Sequence, residues 1–192
     1  MRVTRAQAEE NHQAVINTAS RLFREHGFDG IGLKDVMKAA GLTQGGFYKQ
    51  FESKEDLIAQ ASRRAMESSA ENWTEREAAY PNDTLEKLLR FYLSREHRNE
   101  TAEGCPLPAL GSDAARQSDE VRQAFEEGVK SYLAVLEKAV AGDDTAERRA
   151  RAVATLATMV GALLLSRIVE TDALSREFLR AAANHIRRDN QS

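Results

Sequence analysis

Apolar residues recur at helical spacing along almost the entire chain. The first run predicts a helix that ends at Gly27, because glycine commonly terminates helices. A second run predicts a very short helix that stops at Gly41, and a third short helix is predicted from Thr43 to Phe51. The apolar positions of the first two runs are Val15, Ile16, Ala19, Leu22 and Phe23, then Leu33, Val36, Met37 and Ala40.

Longer helices are predicted from residue 53 onwards. Ser53 is a typical N-cap, and Glu55 and Asp56 place negative charge at the positive end of the helix dipole. This helix is predicted to reach Ala79, before a break at residues 80–83. Further helices are predicted at about 85–92, 109–116, 118–141, 145–169 and 175–188, with a loop at 99–108. No alternating strand pattern occurs, so the predicted fold is all-α with about nine helices.

Composition narrows the class of protein. The 192 residues carry a formal net charge of −3 and one cysteine, which excludes an internal disulfide framework and a zinc site built from cysteine pairs. The N-terminus is polar, and the longest apolar stretch, 152–166, is shorter than the roughly 20 residues of a membrane span. We therefore expect a cytoplasmic protein with no membrane segment, no metal and no cofactor.

Charge alone does not decide whether DNA is a partner. The pI is near 5.9, but residues 1–56 hold eight basic and eight acidic residues, so this part of the chain is neutral. Any contact with DNA must then come from a few well-placed side chains, backbone N–H groups and helix ends.

The two short helices and the glycine-containing turn between them have the layout of a helix-turn-helix. Phe47 and Phe51, four residues apart, would anchor the second short helix on the core. Its exposed side and N-terminus would then carry groups that can bond base edges or phosphates. These are Thr43, Gln44, Gly45, Gly46, Lys49 and Gln50.

At these residues the sequence resembles the tetracycline-repressor (TetR) family of transcriptional regulators. The matching residues, about a quarter of the chain, are Gly27-Phe28, Val36, Ala39 to Thr43, Gly45, Tyr48, Phe51 and Ser53 to Leu57. The resemblance implies a three-helix DNA-binding domain over residues 1–52 and a helical effector-binding and dimerisation domain over residues 53–192. It also implies a homodimeric, ligand-responsive repressor that a small molecule releases from a pseudo-palindromic site on double-stranded DNA.

The resemblance also assigns roles to individual residues. The positions that resemble phosphate contacts are Thr43, Tyr48 and Lys54, and those that resemble base-facing positions are Gln44, Gly45, Gly46 and Lys49. Gly32 stands where the family commonly has serine or threonine, so no phosphate contact is assigned to it.

Gly46 also departs from the family pattern, which commonly has threonine, serine or alanine there. Two adjacent glycines inside a helix cost about 1 kcal/mol each relative to alanine. Either packing of the neighbouring aromatic residues offsets this cost, or the bare backbone lets the helix approach the bases more closely. Both explanations are open at this point.

Several large side chains of the C-terminal part are candidates for an effector pocket, and each also suits an ordinary core. They are Trp73, Phe91, Tyr92, Phe125, Tyr132 and Met159. Cys105 joins them because its Gly-Cys-x-Leu surroundings resemble a TetR subgroup in which a cysteine at this place senses electrophiles or oxidants. The alternative for Cys105 is a small inert apolar residue, since reactivity requires the thiolate.

A stripe of small residues on the helix at 145–169 would let another helix pack closely against it. The stripe could serve packing within the chain. With the last helix it also stands where the resembled family forms a two-fold dimer interface. The candidate interface residues are Ala154, Ala157, Gly161, Leu164, Phe178 and Ala182.

Two other function classes compete with this interpretation. In the first, Cys105 would be the nucleophile of an enzyme and His97 its base, but no orienting carboxylate or third metal ligand stands at a recognisable spacing. In the second, the chain would be a helical interaction protein that does not use its helix-turn-helix. The motifs favour a DNA-binding regulator, and no catalytic residue is predicted.

Overall fold

The computed structural model describes residues 4–191, which form nine α-helices and one short 3-10 helix. The α-helices are α1 (Arg5–His26), α2 (Leu33–Ala39), α3 (Lys54–Ala79), α4 (Thr84–Tyr92), α5 (Arg95–Asn99), α6 (Pro106–Ala114), α7 (Asp119–Ala139), α8 (Thr145–Ile168) and α9 (Asp172–Asp189). The 3-10 helix, Gln44–Lys49, lies between α2 and α3. The prediction of an all-α fold is confirmed. Residues 1–3 and 192, at the outer ends of the two predicted domains, lie outside the described residues.

The first helical segments pack around apolar side chains at the N-terminal end of the molecule. Val15 of α1, Val36 of α2 and Phe47 of the 3-10 helix are all buried there. Gly27 ends α1 as predicted, and its φ of 79° is a left-handed conformation that glycine adopts without strain. Helices as short as α2 are marginal alone, so packing holds this unit together.

α3 is the long helix that joins this unit to the rest of the chain. Its predicted cap is present, since the Ser53 hydroxyl accepts a hydrogen bond from the Asp56 amide at 3.0 Å. The Asp56 carboxylate in turn accepts one from the Glu52 amide at 3.0 Å, in a variant of the capping box. α3 packs on both α1 and α7, and therefore connects the N-terminal unit to the C-terminal helices.

α8 packs against α7 and α9 in the C-terminal part. By length and composition α8 could cross a membrane, with a mean hydropathy of 1.4 over its most apolar window. One face of the helix, including Met159 and Leu163, is buried in the core of the chain. We therefore interpret α8 as a core helix whose opposite face is also apolar.

The structure corrects the predicted helix boundaries around residues 93–108. α5 was not predicted: it lies between the predicted helix at about 85–92 and the predicted loop at 99–108, and it overlaps that loop only at Asn99. The Ser94 hydroxyl caps it by accepting a hydrogen bond from the His97 amide at 3.0 Å. α6 begins at Pro106 and not near residue 109. Proline suits the first turn of a helix, where its missing N–H would have no partner, and it therefore starts α6 instead of prolonging the loop.

Candidate DNA-binding surface and ligand cavity

The second helix of the helix-turn-helix is a 3-10 helix, whereas the sequence predicted an α-helix from Thr43 to Phe51. Its turns are tight, as in the 3.0 Å hydrogen bond from the Gly46 amide to the Thr43 carbonyl. The sequence offers a physical reason: Gly45 and Gly46 weaken the helix at its first turn, and a short segment gains little from cooperativity.

Two phenylalanines hold this helix on the core, as predicted. Phe47 and Phe51 are buried, and their rings stack with centroids 5.3 Å apart. Phe51 also stacks on the ring of His12 in α1 at 4.5 Å. Tyr48 points away from the core with 75% of its surface exposed, while its ring edge contacts Phe47 at 5.1 Å. The orientation of the helix is therefore set by its aromatic residues.

The outward side of the 3-10 helix carries most of the predicted DNA-binding residues. Thr43, Gln44, Gly45 and Lys49 are exposed, and Gly46 is half-buried. Thr43 is the N-cap residue, yet its hydroxyl makes no capping hydrogen bond and so is available to another acceptor or donor. These side chains lie on one surface with Tyr48.

Gln50 differs from the exposed residues beside it. It is half-buried, and its amide oxygen is buried without a hydrogen-bond partner among the described residues. Gln50, predicted on or near the exposed side of the helix, is therefore less accessible than Thr43, Gln44 and Lys49.

Lys54 lies at the start of α3, beside this surface. Its ammonium nitrogen is 3.4 Å from a carboxylate oxygen of Asp29, whose side chain is 95% exposed. An ion pair as exposed as this contributes little and is easily exchanged. A phosphate could therefore replace Asp29 as the partner of Lys54.

The fold does not require glycine at positions 45 and 46. A β-carbon added at Gly45 would have no neighbour within 4 Å. One added at Gly46 would lie 3.8 Å from the Met37 methyl and 3.9 Å from the Thr43 hydroxyl, which are ordinary contacts. Neither glycine has a positive φ. Within the chain, bare backbone at these positions has no structural purpose.

A cavity of about 140 Å³ lies between α1, α3 and the loop that contains Cys105. Three of the predicted effector-pocket residues line it, namely Trp73, Phe91 and Cys105. Tyr92 and Tyr132 pack on Trp73, with ring centroids 5.7 and 4.6 Å from it. The other two predicted residues, Phe125 and Met159, are buried but do not line this cavity.

Sequence reasoning missed the polar side of this cavity. The remaining lining residues are Arg24, Ser68, Ser69, Asn72, His97 and Glu103. Asn72 and Glu103 are exposed, whereas His97 and Cys105 are buried, so the cavity leads from the surface to the thiol. One signal for Arg24 was available: it follows Ser20 by four residues, on the face of α1 that turns towards the core.

The His97 ring is locked as a neutral imidazole. The Cys105 amide can only donate, so its 2.9 Å hydrogen bond is accepted by Nε2 of His97. The Tyr92 carbonyl can only accept, so its 2.8 Å hydrogen bond is donated by Nδ1. Burial is the main cause that lowers the pKa of His97 from 6.5 to about 4.

These bonds argue against the enzyme interpretation. Nε2 of His97 is occupied by the Cys105 amide and cannot act as a base towards the thiol. Burial also raises the pKa of the Cys105 thiol, whose sulfur lies 3.7 Å from the Tyr132 hydroxyl. Among residues 4–191 the thiol therefore has no activating base, and burial keeps it protonated.

Arg24 connects this cavity to the N-terminal unit. Its guanidinium donates to the Gly104 carbonyl at 2.9 Å and to the Ser20 carbonyl at 3.0 Å. The neighbouring Arg21 of α1 forms a salt bridge with Glu103. The end of α1 is thus bonded to the loop that closes the cavity.

The exposed face of α8 is apolar. Val153, Leu164, Leu165 and Ile168 are exposed, the last by 68% of its surface. Of the predicted interface residues, Ala154, Ala157 and Leu164 are exposed, and Gly161 and Phe178 are half-buried. Ala182 is only 8% exposed and lies in the core of its own chain, so it has little surface left for a partner.

Two family models match this chain, one over the segment that forms the candidate DNA-binding surface and one over most of the C-terminal helices. Residues 15–61 match bacterial regulatory proteins of the tetR family. Residues 81–185, more than half of the chain, match the C-terminal domain described as transcriptional regulator LmrA/YxaF-like. The chain belongs to the TetR family of transcriptional regulators. It is therefore a helix-turn-helix DNA-binding regulator and not an enzyme.

Known relatives of this TetR-family regulator include two named proteins. The HTH-type transcriptional regulator LmrA of Bacillus subtilis is 26% identical over 162 residues, which cover 82% of this chain and 86% of LmrA. The HTH-type transcriptional repressor NemR of Escherichia coli K12 is 25% identical over 134 residues, which cover 68% of this chain and 67% of NemR.

Solved structures show the same fold. The reduced form of Escherichia coli NemR superimposes with a TM-score of 0.76 at 23% identity, covering 93% of this chain and 96% of that one. A TetR-family regulator from Cytophaga hutchinsonii superimposes with a TM-score of 0.78 at 22% identity, covering 94% and 95%.

Proposed function

We propose that this TetR-family regulator is a cytoplasmic homodimeric repressor, which a small molecule releases from a pseudo-palindromic operator. The observation that carries the proposal is the orientation of the 3-10 helix. Phe47 and Phe51 point into the core, while Tyr48 and Lys49 are exposed beside the bare backbone of Gly45. This arrangement suits insertion into a major groove.

The exposed groups divide into two kinds of DNA contact. The hydroxyls of Thr43 and Tyr48 and the ammonium of Lys54 suit phosphate oxygens, which position the protein without reading sequence. Gln44 and Lys49 suit base edges, since amide and ammonium groups bond the exposed acceptors of adenine and guanine. Direct readout therefore rests on two side chains.

A second copy of the chain would provide the second reading head. The apolar face of α8, with Leu164 and Ile168 exposed, supports an interface with another copy. α9 packs beside α8 and adds Leu174, which is also exposed. A two-fold dimer matches the symmetry of a pseudo-palindromic operator.

The cavity at Cys105 is the proposed effector site, and Arg24 is the proposed connection to DNA. Arg24 belongs to α1, the helix whose His12 stacks on Phe51. A ligand that displaces the loop at Gly104 would therefore disturb the helix that supports the 3-10 helix. The ligand releases the protein from DNA only if it binds the conformation with low DNA affinity more tightly than the conformation that binds DNA.

Two measurements in sequence test release by a ligand. A thermal-shift screen identifies compounds that raise the unfolding midpoint, because a ligand that prefers the native state stabilises it. Operator affinity is then measured by gel shift at fixed salt, with and without a saturating hit, since phosphate contacts make the affinity depend on salt. A compound that does not raise the midpoint is the control. We expect the hit to weaken operator binding; unchanged affinity would contradict the proposal.

A further inference from the structure

The surroundings of Cys105 contain buried positive charge with little negative charge to balance it. Arg24, Arg76 and Arg167 all interact electrostatically with Cys105 or His97. None of the three forms a salt bridge with a carboxylate among the described residues. Glu103, the acidic residue that lines the cavity, interacts electrostatically with Arg24, but its side chain is exposed and forms its salt bridge with Arg21.

Arg24 is the most deeply buried of these arginines. It is only 6% exposed, and its hydrogen bonds go to backbone carbonyls and the Ser20 hydroxyl, all of which are uncharged. Buried charges in proteins are usually paired, because an isolated one loses its hydration without compensation. A guanidinium has five N–H donors, and Arg24 uses three of them. The remaining donors suit an anion.

The other two arginines add unpaired donors nearby. Nε of Arg76 and Nη1 of Arg167 are buried and lack a hydrogen-bond partner among the described residues. The guanidinium of Arg76 lies 3.8 Å from the centre of the Phe91 ring, and this ring also stacks on His97 at 5.2 Å. Both arginines therefore raise the electrostatic potential around the cavity.

The cavity also limits the size of its ligand. Its volume of about 140 Å³ is well below the roughly 300–1,000 Å³ of pockets that hold drug-sized ligands. Ser68, Ser69 and Asn72 place hydroxyl and amide groups along one wall, and Trp73 and Phe91 form apolar surface. These dimensions and groups suit a short carbon chain with one charged end.

We infer that the cavity at Cys105 binds a small organic carboxylate, with Arg24 as its counter-ion. The inference deepens the proposed function, because it gives the chemical class of the ligand for the proposed effector site. The carboxylate accepts hydrogen bonds from the free donors of Arg24, and its carbon chain contacts Trp73 and Phe91. By drawing the guanidinium towards itself, such a ligand weakens the hydrogen bond from Arg24 to the Gly104 carbonyl, and with it the connection between α1 and the loop.

The test compares carboxylates with uncharged molecules of the same shape. Acetate, propionate and butyrate, and the matching primary amides, are titrated into the full-length protein at constant ionic strength maintained with sodium chloride. Thermal shift and calorimetry report binding without DNA. We expect a saturable rise in Tm with the carboxylates alone. An equal response to the amides, or no saturable response to any carboxylate, would overturn the inference.

Two variants and a matched control locate the site. Arg24→Gln should weaken carboxylate binding at least about tenfold, because a charge-assisted hydrogen bond is lost. Because Arg24 is buried, Arg24→Gln can also impair folding, so Glu103→Gln is the second test variant. It removes a negative charge that competes with the carboxylate and should tighten carboxylate binding about two- to fivefold. Glu100→Gln removes an exposed carboxylate that does not line the cavity. Identical affinities in Glu103→Gln and Glu100→Gln would contradict the assignment.

This outcome is separable from that of the proposed function. If a different ligand from the screen still releases DNA while no carboxylate binds, repression with ligand release stands and the carboxylate assignment falls.

Discussion

At the scale of single residues, the two glycines of the 3-10 helix have no purpose within the folded chain. Gly45 has open space around it, and Gly46 has only ordinary contacts. Both nevertheless lie on the surface proposed to meet DNA. Of the two explanations for these glycines, this combination favours the one in which bare backbone lets the helix approach the bases closely. It is less well explained by packing of Phe47 and Phe51 that merely offsets the cost of glycine.

The substitutions Gly45→Ala and Gly46→Ala should each stabilise the protein by about 0.5–1 kcal/mol, because alanine loses less backbone entropy in a helix. Urea unfolding followed by circular dichroism measures this change. Gly111→Ala, another helical glycine with open space around it, is the control. A lower free energy of unfolding in both variants would show that the backbone here needs glycine. Weaker DNA binding by a stabilised variant would support close approach.

His97 makes stability depend on pH. Its pKa is lowered from the ordinary value of 6.5 to about 4 in the folded chain. Between these values the unfolded state binds more protons than the folded state, so stability present above pH 6.5 is lost as the pH falls towards 4. The loss amounts to about 3 kcal/mol at most.

His97→Gln should flatten this dependence, because the titrating group is gone. Urea unfolding at several pH values between 4 and 7 measures the slope, with the exposed His185→Gln as control. Equal slopes in the wild type and His97→Gln would show that the buried imidazole does not titrate in this range.

At the scale of helices, the contact between α3 and α7 depends on one glycine. A β-carbon at Gly128 would lie 2.2 Å from the Met66 methyl and 2.8 Å from its β-carbon. Gly128→Ala should therefore destabilise the protein by about 1–3 kcal/mol through overpacking. Thermal unfolding measures the effect against Gly111→Ala, which should gain stability. If Gly128→Ala is as stable as Gly111→Ala, the two helices lie farther apart than described.

Helices were largely predictable from the sequence, because apolar spacing and capping residues act locally. Ser53 and Gly27 mark helix ends through their own conformational preferences. Pro106 led to a wrong helix boundary, since proline can either end a helix or occupy its first turn. Which of the two occurs depends on the neighbouring residues. The 3-10 geometry at Gly45 was not predicted, because the four-residue spacing of Phe47 and Phe51 is typical of an α-helix.

The cavity was less predictable, because it depends on contacts between distant parts of the chain. Trp73, Phe91 and Cys105 stood out by residue type, and the fold brings them together. The spacing from Ser20 places Arg24 on the core face of α1, but its bond to Gly104 joins residues 80 positions apart. No local pattern reveals such a contact.

At the scale of the whole molecule, the proposed homodimer requires a second copy of the chain to cover the exposed apolar face of α8. Leu164→Glu should prevent dimerisation, because a charge would be buried at the interface. Analytical ultracentrifugation should then show a monomer with unchanged circular dichroism. Ala134→Glu places the same charge on an exposed position of α7 and should remain dimeric. A Leu164→Glu variant that stays dimeric would show that another surface forms the interface.

Operator binding through the 3-10 helix is the central claim, and footprinting on DNA that flanks the gene tests it most directly. At fixed salt we predict protection of two half-sites about one helical turn, ~10 base pairs, apart. Lys49→Ala should relax base preference, whereas Lys54→Ala should weaken binding to all sequences alike. Absence of a discrete protected site, or a footprint that both variants leave intact, would contradict the account.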